Sequence, residues 1–320
     1  MLRTAALLVF TLVAFPVLAL RTDVPLEPLQ WSLLRGGLAL ALGFAVLAFI
    51  ASEWTGNYSQ VDRLWSIVPA VFAWWFAWVG GATPRLVLMA VLVTLWGARL
   101  TFNFWRRGGY AWPPWRGVED YRWAHVRSWP AFRHRAAWLA FNLGFVSIYQ
   151  LLLLLLITVP SVAAATSSAR PLNWLDAVAA LCFLGFLVLE TVADQQQYAF
   201  QTEKHSRLAA GEPLTGDLAL GFNTRGLFGL ARRPNFFAEQ AIWCAFYLFS
   251  VAATGRWVNW SGIGALLLIL LFQGSTDLTE KLTAAKYPAY ARYQRLVPRF
   301  LPLPRRTAAV AELLASREAP

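Results

Sequence analysis

Long apolar runs alternate with short polar connections along nearly the whole chain. Runs of roughly 17 to 25 apolar residues are long enough to cross about 30 Å of hydrocarbon as helix. They are too long and too uniformly apolar for the strands of a membrane barrel, whose faces alternate. The pattern predicts an all-α fold, a polytopic membrane helix bundle with seven to eight transmembrane helices. The predicted spans are 4–20, 31–52, 64–80, 84–105, 136–160, 173–193, 236–254 and 260–280.

The first of these spans has a second interpretation. Arg3, a short apolar core, Pro16 and the small-residue end 17-VLA-19 are also typical of a signal peptide. Either interpretation leaves the remaining topology unchanged. No internal repeat or low-complexity linker divides the rest, so we expect a single helical membrane domain over 21–303 and a tail over 304–320.

The composition agrees with a membrane protein, and the basic residues predict its orientation. Of 320 residues, 58% are hydrophobic, and the formal net charge is +11. Loops 106–135 and 194–235 and the tail 281–320 carry seven, five and eight basic residues, whereas the intervening connections carry one Arg each. Basic loops stay on the cytoplasmic side, so both termini are predicted to be cytoplasmic. Attraction to anionic headgroups of the lipid bilayer accounts for this charge without a nucleic acid partner.

The sequence contains no familiar metal or nucleotide motif. His125, His134 and His205 lack metal-ligand spacing, and Cys182 and Cys244 lie inside predicted spans. Neither GxGxxG nor GxxxxGK[ST] occurs. We therefore predict no metal site, and any nucleotide would be held by a helical membrane pocket and not by a Rossmann domain.

Polar side chains gather at the predicted cytoplasmic ends of the spans, where each costs about 2.5 kcal/mol or more unless it is paired or wetted. In 58-YSQVDRLWSIVPAV-71, Asp62 shares a helical face with Ser66. In 95-LWGARLTFNFWRRGG-109, Arg99 shares one with Asn103. The structural alternatives are a favourable charge at a helix start and an Arg that extends to the headgroups.

Two further stretches bring acids and an amide to the same side. In 189-LETVADQQQYAFQTEK-204, Glu190, Asp194 and Tyr198 follow at intervals of four and line one stripe of a helix. Two acids on one face repel each other, so donors are expected nearby. In 225-RGLFGLARRPNFFAEQAIW-243, Asn235 and Glu239 are also four apart and follow a proline that suits a first helical turn.

The last span ends among charged and aromatic residues, which are Asp277, Glu280, Lys281, Lys286, Tyr287, Tyr290 and Tyr293. These segments thus bring acids, bases and amides to one side of the membrane. A solvated charged rim is one interpretation. We favour a cofactor or ligand pocket that opens to the cytoplasm, because phosphates require several cations and helix N-terminal amides.

The C-terminal half resembles the steroid 5α-reductase C-terminal-domain family, and is most similar to its bacterial members of unassigned function. The resemblance is carried by 225-RGLF, 232-RRPNFFAE-239, Asp194 and the closing 286-KYPAY pattern that leads to VPRFLP. It covers roughly residues 58–302. Sterol reductases and isoprenylcysteine carboxyl methyltransferases share the same closing architecture.

This resemblance implies an NADPH site over about residues 190–303. Asp194, Asn235 and Glu239 match the family's cofactor-binding residues, and Glu190 stands where the family commonly has Asn. The other residues assigned to the cofactor are Arg225, Arg233, Glu280 and Tyr287. Hydride would pass from the nicotinamide to an activated C=C while an acid polarises the conjugated carbonyl.

The catalytic half departs from the family pattern, which has a Glu on an early span and a Tyr three residues before an Arg. Asp62 or Gln60 would replace the Glu here, but Trp96 stands three residues before Arg99. A tryptophan donates one N–H and has no phenol-like acidity. The candidate catalytic residues are therefore Asp62, Gln60 and Arg99, with Tyr149 or Tyr58 as a substitute acid.

These observations predict a membrane-embedded NADPH-dependent reductase of a C=C bond in a lipophilic sterol, isoprenoid or fatty enone. The predicted location is a bacterial inner membrane, with the cofactor site facing the cytoplasm. Two other functions stay open: an S-adenosylmethionine-dependent lipid methyltransferase and a non-enzymatic lipid-binding membrane protein. The Arg that precedes the paired acids of the methyltransferases is absent before Glu280. The sequence specifies neither the substrate nor an oligomeric state.

Overall fold

The computed structural model describes residues 2–111, 113 and 117–302, and over these residues it contains helices and no strand. This confirms the predicted all-α fold. The predicted tail 304–320 lies outside the described residues. The α-helices are α1 Leu2–Thr22, α2 Pro28–Thr55, α3 Gln60–Trp65, α4 Val68–Val79, α5 Pro84–Trp105, α6 Tyr121–Arg127, α7 Arg135–Phe141, α8 Gln150–Thr158, α9 Pro160–Ala164, α10 Trp174–Ala209, α11 Asp217–Leu220, α12 Pro234–Thr254, α13 Ile263–Lys286 and α14 Tyr290–Leu296.

Within the described ranges, six helical segments are long and apolar enough to cross a membrane. They are Pro28–Thr55, Pro84–Trp105, Arg135–Ala164, Trp174–Ala209, Pro234–Thr254 and Trp260–Lys286. Each coincides with one of the predicted spans. The chain is therefore a polytopic helical membrane protein.

The other two predicted spans, 4–20 and 64–80, are not among these six segments. The first lies within the 21-residue helix α1. The second is divided into α3 and α4, because a turn at Ser66 and Ile67 interrupts the regular α-helix and α4 begins with Pro69 in its first turn. Helix α4 has 12 residues, so it is about 18 Å long. That is shorter than the roughly 30 Å of a hydrocarbon core.

The helices pack as two compact units. Unit 1 contains the chain up to residue 182 together with 243–268, and unit 2 contains 183–242 together with the residues after 268. Helices α10, α12 and α13 contribute to both. The predicted cofactor half therefore lies mainly in unit 2.

Unit 1 has close helix contacts that depend on glycine. A Cβ on Gly97 of α5 would collide with the Ser66 carbonyl, so the absence of a side chain there allows α5 to approach the end of α3. A Cβ on Gly264 of α13 would likewise collide with the Leu156 carbonyl of α8. Both clashes are with backbone, which has little freedom to move away.

We expect Gly264→Ala to lower the free energy of unfolding by about 1–3 kcal/mol, the usual cost of overpacking. The thermal midpoint of the detergent-solubilised protein measures this change. Gly144→Ala is the matched control, because a Cβ at Gly144 meets no atom within 4 Å. Equal shifts of the midpoint in the two variants would contradict the assignment of Gly264 to a backbone contact.

Unit 2 is held together around the ends of α12 and α14. Its buried cluster consists of Leu220, Phe222, Tyr290, Tyr293 and Val297. The backbone N–H of Arg232 donates to the Pro298 carbonyl over 2.8 Å, and that of Arg233 donates to the Arg299 carbonyl over 2.9 Å. The segment that leads into α12 is thereby fixed against the segment that follows α14.

Candidate functional site

The structure brings together Asp194 and Asn235, two residues that the sequence predicts to share a site. Asn235 lies in the first turn of α12, and its Nδ2 donates to Asp194 Oδ1 of α10 over 3.2 Å. Asp194 is buried, as are Glu190, one turn earlier in α10, and Glu239, one turn later in α12. The start of α12 and the facing part of α10 thus concentrate three carboxyl groups and one amide.

Arg233 supplies a cation next to the start of α12. Its Nη2 donates to Thr279 Oγ1 over 3.1 Å, and its guanidinium lies 5.6 Å from the ring centroid of Phe236. Its Nε is buried and has no hydrogen-bond partner among the described residues. A buried donor of this kind needs an acceptor, and a phosphate oxygen is a suitable one.

Arg232 and Glu280 form a buried ion pair in the same unit. Arg232 Nε lies 2.7 Å from Glu280 Oε1, and Nη2 lies 3.0 Å from Oε2. Tyr290 Oη and Gln294 Nε2 donate to the same carboxylate over 3.3 and 3.1 Å. Glu280 is among the residues that the sequence assigns to the cofactor, but both of its oxygens are engaged within the protein. This arrangement favours a structural role for Glu280.

Arg225, the first residue of the RGLF motif, is largely exposed. Its side chain is 74% accessible, and its Nε lies 3.7 Å from Asp217 Oδ2. Asp217 is buried and accepts hydrogen bonds from the backbone N–H and the hydroxyl of Thr224, both over 2.9 Å. The carboxylate therefore shapes the loop that carries Arg225, and the guanidinium itself remains accessible to a ligand.

Tyr287 contacts a residue that the sequence analysis did not assign to the site, Lys204. The Lys204 Nζ donates to Tyr287 Oη over 2.9 Å and to the Gly221 carbonyl over 3.1 Å. Burial opposes ionisation of Tyr287, but the hydrogen bonds and charges of Lys204 and Lys286 outweigh it, so the pKa of Tyr287 lies below its ordinary value. Lys204 follows Asp194 by ten residues on α10. This closeness in sequence could have indicated that Lys204 belongs to the same site.

In unit 1, Asp62 lies in a second polar cluster. Its Oδ2 accepts a hydrogen bond from Trp123 Nε1 over 2.8 Å. Burial raises the pKa of Asp62 above its ordinary value, and the nearby charge of Arg122 only partly offsets this effect. Asp120 and Arg122 form a bidentate pair over 2.8 and 3.0 Å, and the Asp120 N–H donates to Ser59 Oγ over 2.8 Å.

The other two catalytic candidates lie in different surroundings. Gln60 donates to Thr55 Oγ1 over 3.0 Å and accepts a hydrogen bond from Arg63. Arg99 is half-buried in the last two turns of α5. The structure therefore places Gln60 in a local network, whereas the raised pKa makes Asp62 the stronger candidate for a proton donor.

Trp96 and Tyr149 are both fully buried. The Trp96 ring packs edge-on against Trp243 with 5.0 Å between centroids, so its position is explained by packing. Tyr149 closes the π-helical segment Asn142–Tyr149, and its hydroxyl has no hydrogen-bond partner in the described part of the chain. With no exposed surface, that hydroxyl is inaccessible to a substrate in this conformation.

No cluster of His, Cys, Asp or Glu suited to a metal ion occurs in the ranges that the structure describes. A cavity of about 410 Å³ lies within unit 1, and its lining contains none of the predicted site residues. The lining residues are Arg170, Pro171, Leu172, Asn173, Trp174, Leu175, Val251, Ala252, Gly255 and Trp257.

These features define a polytopic helical membrane protein with acids, amides and cations collected in unit 2. Residues 48–297 match the model of a family described as proteins of unknown function, DUF1295. The chain belongs to this family. It is similar to the uncharacterized protein C594.04c of Schizosaccharomyces pombe, with 40% identity over 277 residues, which is 83% of this chain and 78% of the relative. No solved structure matches the chain.

Proposed function

We propose that the protein is an NADPH-dependent reductase of a C=C bond in a lipophilic substrate and that unit 2 binds the cofactor. The observation that carries this proposal is the hydrogen bond between Asn235 and Asp194. These two residues come from separate helices, and the resemblance to the steroid 5α-reductases assigns both of them to NADPH. Their contact fits one shared site.

The side chains of unit 2 fit the chemistry of a dinucleotide. Phosphate oxygens require cations, and Arg233 offers a buried Nε without a partner beside the N-terminus of α12. Ribose hydroxyls and a carboxamide require acceptors, and Glu190, Asp194 and Glu239 offer carboxylates. When bound, NADPH would supply the hydride for the C=C bond.

Asp62 of unit 1 would supply the proton. A carboxyl group whose pKa is raised by burial retains its proton closer to neutral pH and can act as a general acid. In conjugate reduction, hydride adds to the C=C bond and negative charge develops on the carbonyl oxygen. Asp62 would hydrogen-bond to that oxygen and protonate it, with the Trp123 indole orienting the carboxyl group.

The membrane orientation is also part of the proposal. Basic residues mark the cytoplasmic side, and Arg225, Arg233 and Lys204 all belong to the basic loop 194–235. The cofactor site would then face the cytoplasm, where NADPH is available. A bacterial inner membrane stays the predicted location.

Thermal stabilisation by three ligands tests the proposed function. The purified protein in detergent is heated with NADPH, NADH or S-adenosylmethionine, and the midpoint of unfolding is measured. A ligand at 100 times its dissociation constant stabilises by about 2.7 kcal/mol, so we expect a clear shift with NADPH. A shift with S-adenosylmethionine alone would support the methyltransferase alternative, and no response to millimolar NADPH would exclude the reductase.

A further inference from the structure

Two lysines of unit 2 converge on one phenol. Lys204 Nζ lies 4.8 Å from the ring centroid of Tyr287, and Lys286 Nζ lies 5.3 Å from it. Lys204 is half-buried and comes from α10, whereas Lys286 ends α13 and is exposed. The two ammonium groups thus reach the same ring from separate helices.

The position of the Tyr287 ring is built by the loop after α11. Gly221 has φ +89°, and a Cβ there would collide with the ring. The Gly221 carbonyl accepts the second hydrogen bond of Lys204. Only glycine combines this backbone conformation with such close packing, so the loop, the lysine and the tyrosine fix one another.

No carboxylate neutralises this pair of cations in the part of the chain that the structure describes. The nearest acid on α10, Glu203, is engaged by Arg207 over 2.8 Å. Two like charges directed at one ring repel each other. Lys204 has a third N–H beyond the two that it uses, and the cluster faces solvent through Lys286. The charges and donors are those of an anion-binding site.

We propose that Lys204, Lys286 and Tyr287 form a binding site for a phosphate monoester. Such a group carries up to two negative charges and three acceptor oxygens, which matches two ammonium groups and one hydroxyl donor. Lysine binds phosphate as a compact point charge. The site is separate from Arg233, which the proposed function assigns to the other phosphates of the dinucleotide.

Two sources of this phosphate are chemically equivalent: the 2′-phosphate of NADPH and the headgroup of a phosphatidic acid. The nucleotide source rests on the proposed function. Lys204 follows Asp194 by ten residues on α10, which is about 15 Å along a helix. An extended dinucleotide is long enough to span that distance, so one molecule could occupy both positions.

The experiment measures binding to the full-length protein in detergent with two pairs of probes. Adenosine 2′,5′-bisphosphate is compared with adenosine 5′-monophosphate, and dihexanoyl phosphatidic acid with dihexanoyl phosphatidylcholine. The variants are the double Lys204→Met, Lys286→Met, which keeps the apolar stems, and Tyr287→Phe, which keeps the ring. Lys281→Met, which removes one positive charge from an exposed position of α13 outside the cluster, is the control.

We expect one of the two phosphate monoesters to bind at least tenfold more tightly than its partner probe. The double variant should lose that preference, Tyr287→Phe should weaken it, and Lys281→Met should retain it. Preference for the bisphosphate identifies the nucleotide, and preference for phosphatidic acid alone identifies a lipid headgroup. The proposal is overturned if neither phosphate monoester is preferred over its partner probe. It is also overturned if the double variant and Lys281→Met bind the preferred monoester equally well. These probes contain no nicotinamide, so they test the phosphate site alone. Failure of NADPH to stabilise the protein would count against the proposed function and not against this site.

Discussion

Glu280→Gln should lower the free energy of unfolding by about 3–5 kcal/mol, the cost of removing one partner from a buried ion pair. The side chains of Arg232 and Glu280 are 8% and 3% accessible, so the variant leaves a buried guanidinium without its counter-charge. Burial opposes the charge of Arg232, but the hydrogen bonds and charge of Glu280 raise the pKa of Arg232 above its ordinary value. An arginine side chain keeps its proton in proteins even without an acidic partner, so the guanidinium stays charged in the variant.

The measurement is the thermal midpoint of the purified protein, with Asp277→Asn as matched control. Asp277 pairs with Arg299 over 2.9 Å, but its side chain is 54% accessible. Exposed pairs contribute about 1 kcal/mol or less, so Asp277→Asn should leave the midpoint nearly unchanged. If Glu280→Gln is as stable as the control and loses NADPH binding, Glu280 belongs to the cofactor site and not to the framework.

Asp62→Asn should lower the rate of enone reduction by about 10²–10⁴, the usual contribution of a general acid. The amide keeps the size of the side chain but has no acidic proton. NADPH-dependent stabilisation should be unchanged, because Asp62 is not among the residues assigned to the cofactor. The assay follows NADPH oxidation with a series of lipophilic enones. Glu119→Gln is the control, because Glu119 is another carboxylate of unit 1 and accepts a hydrogen bond from the Tyr58 N–H over 2.9 Å.

The pH profile distinguishes proton donation by Asp62 from a purely structural role. The protonated form is the active one, so the rate should fall as pH rises through the pKa of Asp62. The Trp123 indole donates to this carboxylate over 2.8 Å and stabilises its charged form. Trp123→Phe should therefore raise the pKa further and move the alkaline limb of the profile to higher pH. A limb that does not move would exclude Asp62 as the titrating acid.

Local periodicity predicted the helices and the two polar stripes of α10 and α12 that carry part of the candidate site. The interval of four between Asn235 and Glu239, with Pro234 before them, places both residues on one face at the start of a helix. The same spacing predicted the stripe of Glu190 and Asp194. Because both stripes occur at span ends with basic neighbours, their meeting was predictable, and the contact between Asn235 and Asp194 confirms it.

Contacts between residues far apart in the chain were not predictable in this way. Trp123 meets Asp62 across 61 residues, and Lys204 meets Tyr287 across 83. Arg232 engages Glu280 across 48 residues, which favours a structural role for a residue that the sequence assigns to the cofactor. Each of these partners depends on tertiary packing and leaves no periodic signal.

The division of the predicted span 64–80 had a different cause. Mean apolarity across this span concealed the break between α3 and α4, although Pro69 stands inside it. Proline fits the first turn of a helix and kinks or breaks a helix in its interior, which favours a new helix start close to Pro69. The position of Pro69 would have predicted the shorter α4 if it had been weighted above the length of the apolar run.

Equilibrium binding of NADPH to wild type and to Asn235→Ala tests the central claim most directly. The claim predicts saturable binding to wild type and at least tenfold weaker binding to Asn235→Ala, which removes the partner of Asp194. Asn173→Ala is the control, because the Asn173 amide serves the Pro171 and Ala252 carbonyls in unit 1. It should bind NADPH as wild type does. No saturation of wild type at millimolar NADPH, or equal affinity in wild type and Asn235→Ala, would contradict the account.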